Sequence, residues 1–263
     1  LIFFIPDISG FTSFVKEVDI SHAKHIIKEL LELLIEKGKR ELKLAEIEGD
    51  ALFFYTEDKK LNADQLNVLI EEMHKAFHNY LNIYRYRRVC NCGACTTANE
   101  LQVKFIVHQG EAEMLEVGKS KKPFGQEVIL AHRMLKNSVP SKEYILWSNN
   151  FWEENHELIS KHWPSKIEEL HELYDGVEKR LYYSTLSLPA KQKDYSLSFP
   201  QLQGIRPLII EHRFEVNKDD LYQYVIDLGK RMEWSQGLDD LQYGKRINEA
   251  GTTHTCIVNG KHV

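Results

Sequence analysis

No apolar run in these 263 residues approaches the roughly 20 that a membrane helix needs, so no membrane span is expected. Excess charge of one sign is also missing. The 34 Lys and Arg against 39 Asp and Glu leave a net charge of -5, and no global field favours nucleic acid as a partner. Cysteine is sparse: there are four, and Cys90, Cys92 and Cys95 crowd into one stretch. That distribution argues against a disulfide framework and for free thiols or a metal cluster, as in a cytoplasmic protein. Leu1-Ile2-Phe3-Phe4-Ile5 is too short for the apolar region of a secretory signal, and a start at Leu rather than Met implies that a few residues precede it. A content of 43% hydrophobic and 11% aromatic residues suffices for a buried core, in one large domain or two smaller ones.

Phe4-Ile5-Pro6-Asp7-Ile8-Ser9-Gly10-Phe11-Thr12 is the most informative stretch present. An apolar strand leads into one carboxylate, then a glycine-bearing turn, then a helix. Such a corner can seat a divalent cation on the carboxylate and phosphate oxygens on the backbone N–H groups. A second carboxylate, Asp50, stands in Ile47-Glu48-Gly49-Asp50-Ala51-Leu52-Phe53-Phe54-Tyr55. Two acids on neighbouring strands are the minimum for Mg²⁺-assisted phosphoryl or nucleotidyl chemistry.

The periodicities predict a buried strand over residues 1–6, an amphipathic helix over 20–39, a hairpin over 42–56 and a second helix over 62–86. Strands are expected over 101–108 and 111–117, on either side of Gly110, then a helix over 126–137 and a strand over 143–147. Strands near 170–174 and 180–186 complete a domain of residues 1–187. The order βαββαβ predicts an α+β, ferredoxin-like core. Residues 188–205 are polar and aperiodic, hence a linker. From Arg206 a new pattern begins: a strand over 207–215, a helix over 221–228 starting at Asn217-Lys218-Asp219-Asp220, and strands near 241–248 and 252–259. Residues 206–263 are too few to close around a ligand, so this second domain is expected to be incomplete.

Four motifs over residues 1–186 resemble the class III nucleotidyl cyclases, the adenylyl and guanylyl cyclase homology domain. Asp7-Ile8-Ser9-Gly10-Phe11-Thr12 is similar to that family's first metal motif, and Gly49-Asp50 to its second. His108-Gln109-Gly110 with Val117-Gly118 is similar to its central hairpin, and Gly125-Gln126-Glu127-Val128-Ile129-Leu130-Ala131-His132-Arg133 to its Arg-bearing helix. The resemblance implies a cytoplasmic homodimer that binds a nucleoside triphosphate. Asp7, Asp50 and the Ile8 carbonyl would hold two Mg²⁺ or Mn²⁺ ions, and Gly10, Phe11 and Thr12 would meet the triphosphate. Arg133, from the partner chain, would be the catalytic residue that neutralises transition-state charge. The region from Arg206 resembles the start of the START-like helix-grip domains, through Phe214 to Tyr222 and Arg231-Met232-Glu233-Trp234, and implies a lipid or small apolar ligand.

Some positions depart from the cyclase pattern. Ile129 stands where the family places an Asn that holds the ribose. Glu46 stands at the base-selecting Lys of adenylyl enzymes, and Lys122 at its companion, so the base-recognition pair fits neither base pattern. Tyr174-Asp175-Gly176 offers no amine where a late phosphate-gripping Lys is expected. Three functions therefore stay open: a divergent cyclase-like enzyme, a catalytically silent sensor and dimerisation module that binds its ligand through the second domain, or a structural interaction protein that keeps the fold alone.

Outside these motifs, the three clustered cysteines could bind Zn²⁺ or stay reduced in a tight loop. Lys119, Lys121 and Lys122 are expected to form a basic loop, solvated or contacting phosphate. His74 and His78 stand four apart, a spacing that can bind metal; without an accompanying acid motif they are expected on a solvated helix face.

Overall fold

The structure is a computed structural model that describes residues 1–16, 20–57, 61–87, 97–118, 120–163, 166–187, 213–236, 238–243, 254–258 and 261–262. Cys90, Cys92 and Cys95, Lys119 and the expected linker lie outside the described residues, as do residues 207–212 of the strand expected over 207–215, whose described residues 213–215 are not in a strand.

The chain runs β1 (Ile2–Ser9), α1 (Phe11–Lys16), α2 (Ile20–Gly38), β2 (Lys43–Glu48), β3 (Ala51–Thr56), α3 (Ala63–Arg87), a short 3₁₀ turn (Ala98–Glu100), β4 (Gln102–Gln109), β5 (Glu113–Val117) and β6 (Ser120–Phe124). It continues through α4 (Gln126–Arg133), β7 (Tyr144–Ser148), α5 (Asn149–His162), β8 (Glu168–Tyr174) and β9 (Val177–Thr185). Seven strands form one sheet in the order β2-β3-β1-β4-β7-β9-β8. Its first four strands pair antiparallel, as the βαββαβ order requires, and β7 joins β4 in parallel.

Both faces of this sheet are covered, which explains why its central strands read as continuous apolar runs. Side chains alternate across a strand. Ile2, Phe4 and Ile8 of β1 face one core with Leu52 and Phe54 of β3 and Phe105 of β4. That core is closed by the apolar stripes of α2 (Ala23, Ile26, Leu30, Leu34) and α3 (Leu66, Ile70, Met73, Phe77). Phe3 and Ile5 face a second core with Phe53, Ile106, Leu146 and Ala131 of α4.

Three expectations are corrected here. Strand β1 continues past the expected residues 1–6 to Ser9, so Asp7 lies within the strand, two residues before its end. The hairpin near Gly110 is not between β4 and β5: β4 lies in the main sheet, and β5 pairs with β6, Glu113 opposite Phe124 through Val117 opposite Ser120. Lys121 and Lys122 therefore sit on a strand rather than in a basic loop, and each is tied to a carboxylate, Lys121 Nζ to Glu116 at 2.5 Å and Lys122 Nζ to Glu46 at 2.7 Å. Helix α5 was not expected; only Phe151 and Ile159 of its 14 residues are fully buried, too thin a stripe to stand out in the sequence.

C-terminal to these elements come α6 (Lys218–Ile226), α7 (Arg231–Trp234) and the antiparallel strands β10 (Asp240–Tyr243), β11 (His254–Val258) and β12 (Lys261–His262). Asn217 caps α6 by accepting from the Asp219 N–H at 2.8 Å, as the sequence signal predicts.

Gly110 marks a close approach between β4 and α4. A Cβ there would stand 2.6 Å from Glu127 Cβ and Cγ. Glu127 in turn meets the buried His108 ring, Oε2 to Nε2 at 2.8 Å. Gly110→Ala is expected to push Glu127 off His108 and destabilise the fold by about 1–3 kcal/mol, an overpacking cost readable in urea unfolding. An unchanged midpoint would mean that Glu127 swings away freely.

Candidate functional site

The sheet itself assembles the site. Asp7 shares the strand face of Phe3 and Ile5, and Lys104 shares that of Ile106, so both point to the α4 side of the sheet. In the antiparallel register of β1 and β4, Asp7 stands directly opposite Lys104. Their side chains meet, Nζ to Oδ2 at 3.0 Å, with 17% and 13% of each side chain exposed. Lys104 Nζ also donates to the Leu135 carbonyl at 3.2 Å, just past the end of α4.

Asp50 arrives from the other side. The β2–β3 turn needs a left-handed backbone at Gly49 (φ 64°), and the next residue delivers its carboxyl toward β1. The Ile8 N–H donates to the Asp50 carbonyl at 3.1 Å, which fixes the turn against the end of β1. In the pairing of β1 with β3, Asp7 stands opposite Ala51, the residue after Asp50, which brings the two acids to one site. Burial first, and the Asp7 carboxylate second, push the Asp50 carboxyl up to about 6, while Lys104 opposes the shift. Burial would lower the Lys104 ammonium, but Asp7, Tyr144 and Asp50 together outweigh it and hold the pKa above the usual lysine range. Two acids and one ammonium thus share one pocket, with one negative charge in excess once Asp50 ionises.

Gly10 takes φ 89°, a conformation that glycine adopts without strain, and turns the chain from β1 into α1. Its carbonyl accepts from the Phe14 N–H at 3.0 Å and the Ser13 hydroxyl at 2.9 Å. Phe11 and Thr12 occupy the first turn of α1, where backbone N–H groups have no partner within the helix.

The remaining residues divide differently from the expected site. Glu46 and Lys122 do come together, but with each other, through the 2.7 Å ion pair. The two residues expected to recognise the base thus carry opposite charges, with the acid on β2 and the amine on β6. Ile129 is 52% exposed on α4. Arg133 forms an ion pair with Asp175, which sits at positive φ in the Asp-Gly turn between β8 and β9. The turn that lacks the expected amine therefore presents an acid that neutralises the one expected catalytic arginine. His132 is held by Glu48 at 3.1 Å and lies against the Phe53 ring.

Sequence reasoning missed Lys104, and it singled out Asp175 without foreseeing its pairing with Arg133. A lone lysine in Val103-Lys104-Phe105-Ile106-Val107 was the available signal, since a charge on a doubly covered strand needs a partner.

Comparison with known proteins agrees with this architecture. Residues 27–144 match a family model described as "Protein of unknown function (DUF2652)". The chain is 34% identical over 125 residues to the uncharacterized protein Rv2561/Rv2562 of Mycobacterium tuberculosis. That match takes in 46% of this chain and 56% of the relative, so the chain spans little more than half the length of that curated protein. Among solved structures, the adenylyl cyclase CyaB from P. aeruginosa superposes with a TM-score of 0.50 at 14% identity, over 73% of this chain and 96% of that one. The guanylyl cyclase Cya2 gives 0.51 at 14%, over 72% and 93%. The fold is therefore a mixed α+β fold similar to adenylyl and guanylyl cyclase domains.

Proposed function

We propose that residues 1–187 form a cyclase-like module that binds a nucleoside triphosphate through divalent cations, with binding rather than cyclisation as its activity. The observation that carries this reading is the convergence of Asp7 and Asp50 at the end of β1, where Asp7 pairs with Ala51 across the sheet and the Asp50 carbonyl accepts from the Ile8 N–H at 3.1 Å. Hard oxygen donors at a strand end suit Mg²⁺ or Mn²⁺. Asp7, Asp50 and the Ile8 carbonyl are the residues that would hold two ions, and Gly10, Phe11 and Thr12 would turn backbone N–H groups toward phosphate. The bound cations would supply charge neutralisation for the phosphate oxygens. Because Lys104 already offsets one carboxylate, cation binding by the protein alone is weak, and the triphosphate brings the missing negative charge.

Binding without turnover follows from what surrounds that pocket. Ile129 offers no hydrogen bond to a ribose, Arg133 is paired with Asp175 at the surface, and Glu46 and Lys122 pair with each other. Losing one preorganised transition-state stabiliser costs about 2.7–4 kcal/mol, and here several are altered at once. The resemblances add two further parts to the proposal: assembly as a homodimer, and a START-like segment over 206–263 that takes a small apolar ligand.

Calorimetry with Mn²⁺ and either ATP or GTP tests the reading. Binding is expected with both components present, and a loss of about 100-fold or more in Asp7→Ala, which removes a primary cation ligand. Cyclic product at a rate well above the uncatalysed background would move the assignment to an enzyme. Equal binding by wild type and Asp7→Ala would remove the site altogether.

A further inference from the structure

The other face of the sheet carries a second polar cluster. His74 and His78 stand one turn apart on α3, so both rings project from the same side of the helix. That side faces the core closed by Met73 and Phe77, away from the Asp7 pocket. The expectation of a solvated face is overturned: only 7% of the His74 side chain and 13% of the His78 side chain are exposed. Glu143, one residue before β7, projects between them with 10% of its side chain exposed. Two residues along from Glu143, Ile145 lies in the same core, as strand alternation requires.

The geometry is convergent. Both imidazole Nε2 atoms meet one carboxylate oxygen, Glu143 Oε1: His78 in a short contact and His74 at 3.1 Å. Among the described residues, buried His74 Nε2 finds no hydrogen-bond partner of good geometry. The possible ligand atoms of the three residues all lie within 4.8 Å of one another. The Glu143 backbone is fixed on both sides, its N–H donating to Ser141 Oγ at 3.1 Å and its main-chain carbonyl accepting from the Leu186 N–H at 3.0 Å. The two rings pack edge to face at 4.8 Å, and His78 packs likewise on Phe77 at 5.4 Å, which limits their rotation.

We propose that His74, His78 and Glu143 form a binding site for one divalent transition-metal ion, with Zn²⁺ the best fit. Two imidazoles and one carboxylate are a nitrogen and oxygen donor set suited to zinc, and a poor one for Mg²⁺. Bond lengths of about 2.0–2.1 Å in a tetrahedron put ligand atoms roughly 3.3 Å apart, close to the present 3.1 Å between His74 Nε2 and Glu143 Oε1. Retracting Oε1 from His78 opens the centre. Three protein ligands leave a fourth position for one water. The near-complete burial makes this a structural clamp between α3 and the sheet.

The test uses the full chain with Cys90→Ser, Cys92→Ser and Cys95→Ser, so that thiolates cannot compete, in excess Mg²⁺ to occupy the hard-cation pocket. Co²⁺ is expected to bind at one equivalent with visible d–d bands and no thiolate charge-transfer band. Zn²⁺ at saturating concentration is expected to raise the unfolding midpoint by about 5 °C or more. His78→Gln and Glu143→Gln should each weaken binding by about 100-fold or more, beyond the 10–100-fold typical of outer-shell changes. X-ray absorption of the Zn²⁺-loaded triple-serine protein reads imidazole scatterers without any change at the three ligands, so the answer does not depend on the variants folding. Absence of saturable binding, or a coordination shell without imidazole, would overturn the site and leave a purely ionic cluster.

Discussion

Asp50→Asn is expected to make the ligand-free protein more stable above neutral pH while abolishing binding of the cation–nucleotide complex. The carboxyl titrates at about 6 in the fold against 3.8 unfolded, so the native state favours its protonated form. The sign follows from linkage: between those values the native state binds more protons than the unfolded chain, and stability falls as pH rises. The cost is absent below about 3.8 and complete above about 6. At about 1.4 kcal/mol per unit it amounts to at most about 3 kcal/mol. Asparagine is neutral at every pH. Thermal unfolding at pH about 8 should therefore show the variant higher by several degrees, at about 2–4 °C per kcal/mol, and the two proteins should converge near pH 4. The same titration limits function, since cation binding needs the ionised form: in the wild type, Mn²⁺–nucleotide affinity should fall about tenfold per unit below pH 6. A variant less stable than wild type at pH 8 would mean that the ionised pair is accommodated without strain, and the account of the pocket would fail.

Much of this pocket was legible in the sequence because its parts are local. Asp50 directly follows Gly49 in the β2–β3 turn, Asp7 stands three residues before Gly10 where β1 ends, and a turn signal survives in a single sequence. The partners that change the chemistry come from register and packing instead. Lys104 reaches Asp7 because the β1–β4 pairing puts them opposite each other, 97 residues apart in sequence. Glu143 reaches His78 across 65 residues. The spacing of His74 and His78 was visible, but their burial was not, because a helix side is solvated or covered according to what packs on it. Strand β6 was hidden for the opposite reason. Its Lys121 and Lys122 look like loop residues, and they form a strand only because an exposed hairpin tolerates charges paired with Glu116 and Glu46.

Lys104 is where the pocket departs furthest from a simple pair of acids, and Lys104→Met should reveal what it does. Methionine keeps the length and removes the charge. Without the ammonium, two carboxylates face each other in a buried pocket, and the ligand-free protein should lose about 3 kcal/mol or more, as when one partner of a buried pair is removed. The lost charge should also free the pocket for cations. An ammonium and a dication 4 Å apart repel by about 2 kcal/mol even with water-like screening. Mn²⁺ should therefore bind the variant at least about tenfold more tightly in the absence of nucleotide. The dependence of Mn²⁺ binding on triphosphate should shrink by the same factor, because the protein would now supply the charge that the nucleotide supplies in wild type. Lys104 lowers the Asp50 pKa, so its loss raises that value further, and the titration belongs at pH about 8.5, where protons do not compete. Added Mn²⁺ should also restore the lost stability, which separates a vacated cation site from a damaged core. If Mn²⁺ affinity is unchanged and nothing is restored, Lys104 does not share the cation's space, and the requirement for nucleotide must arise elsewhere.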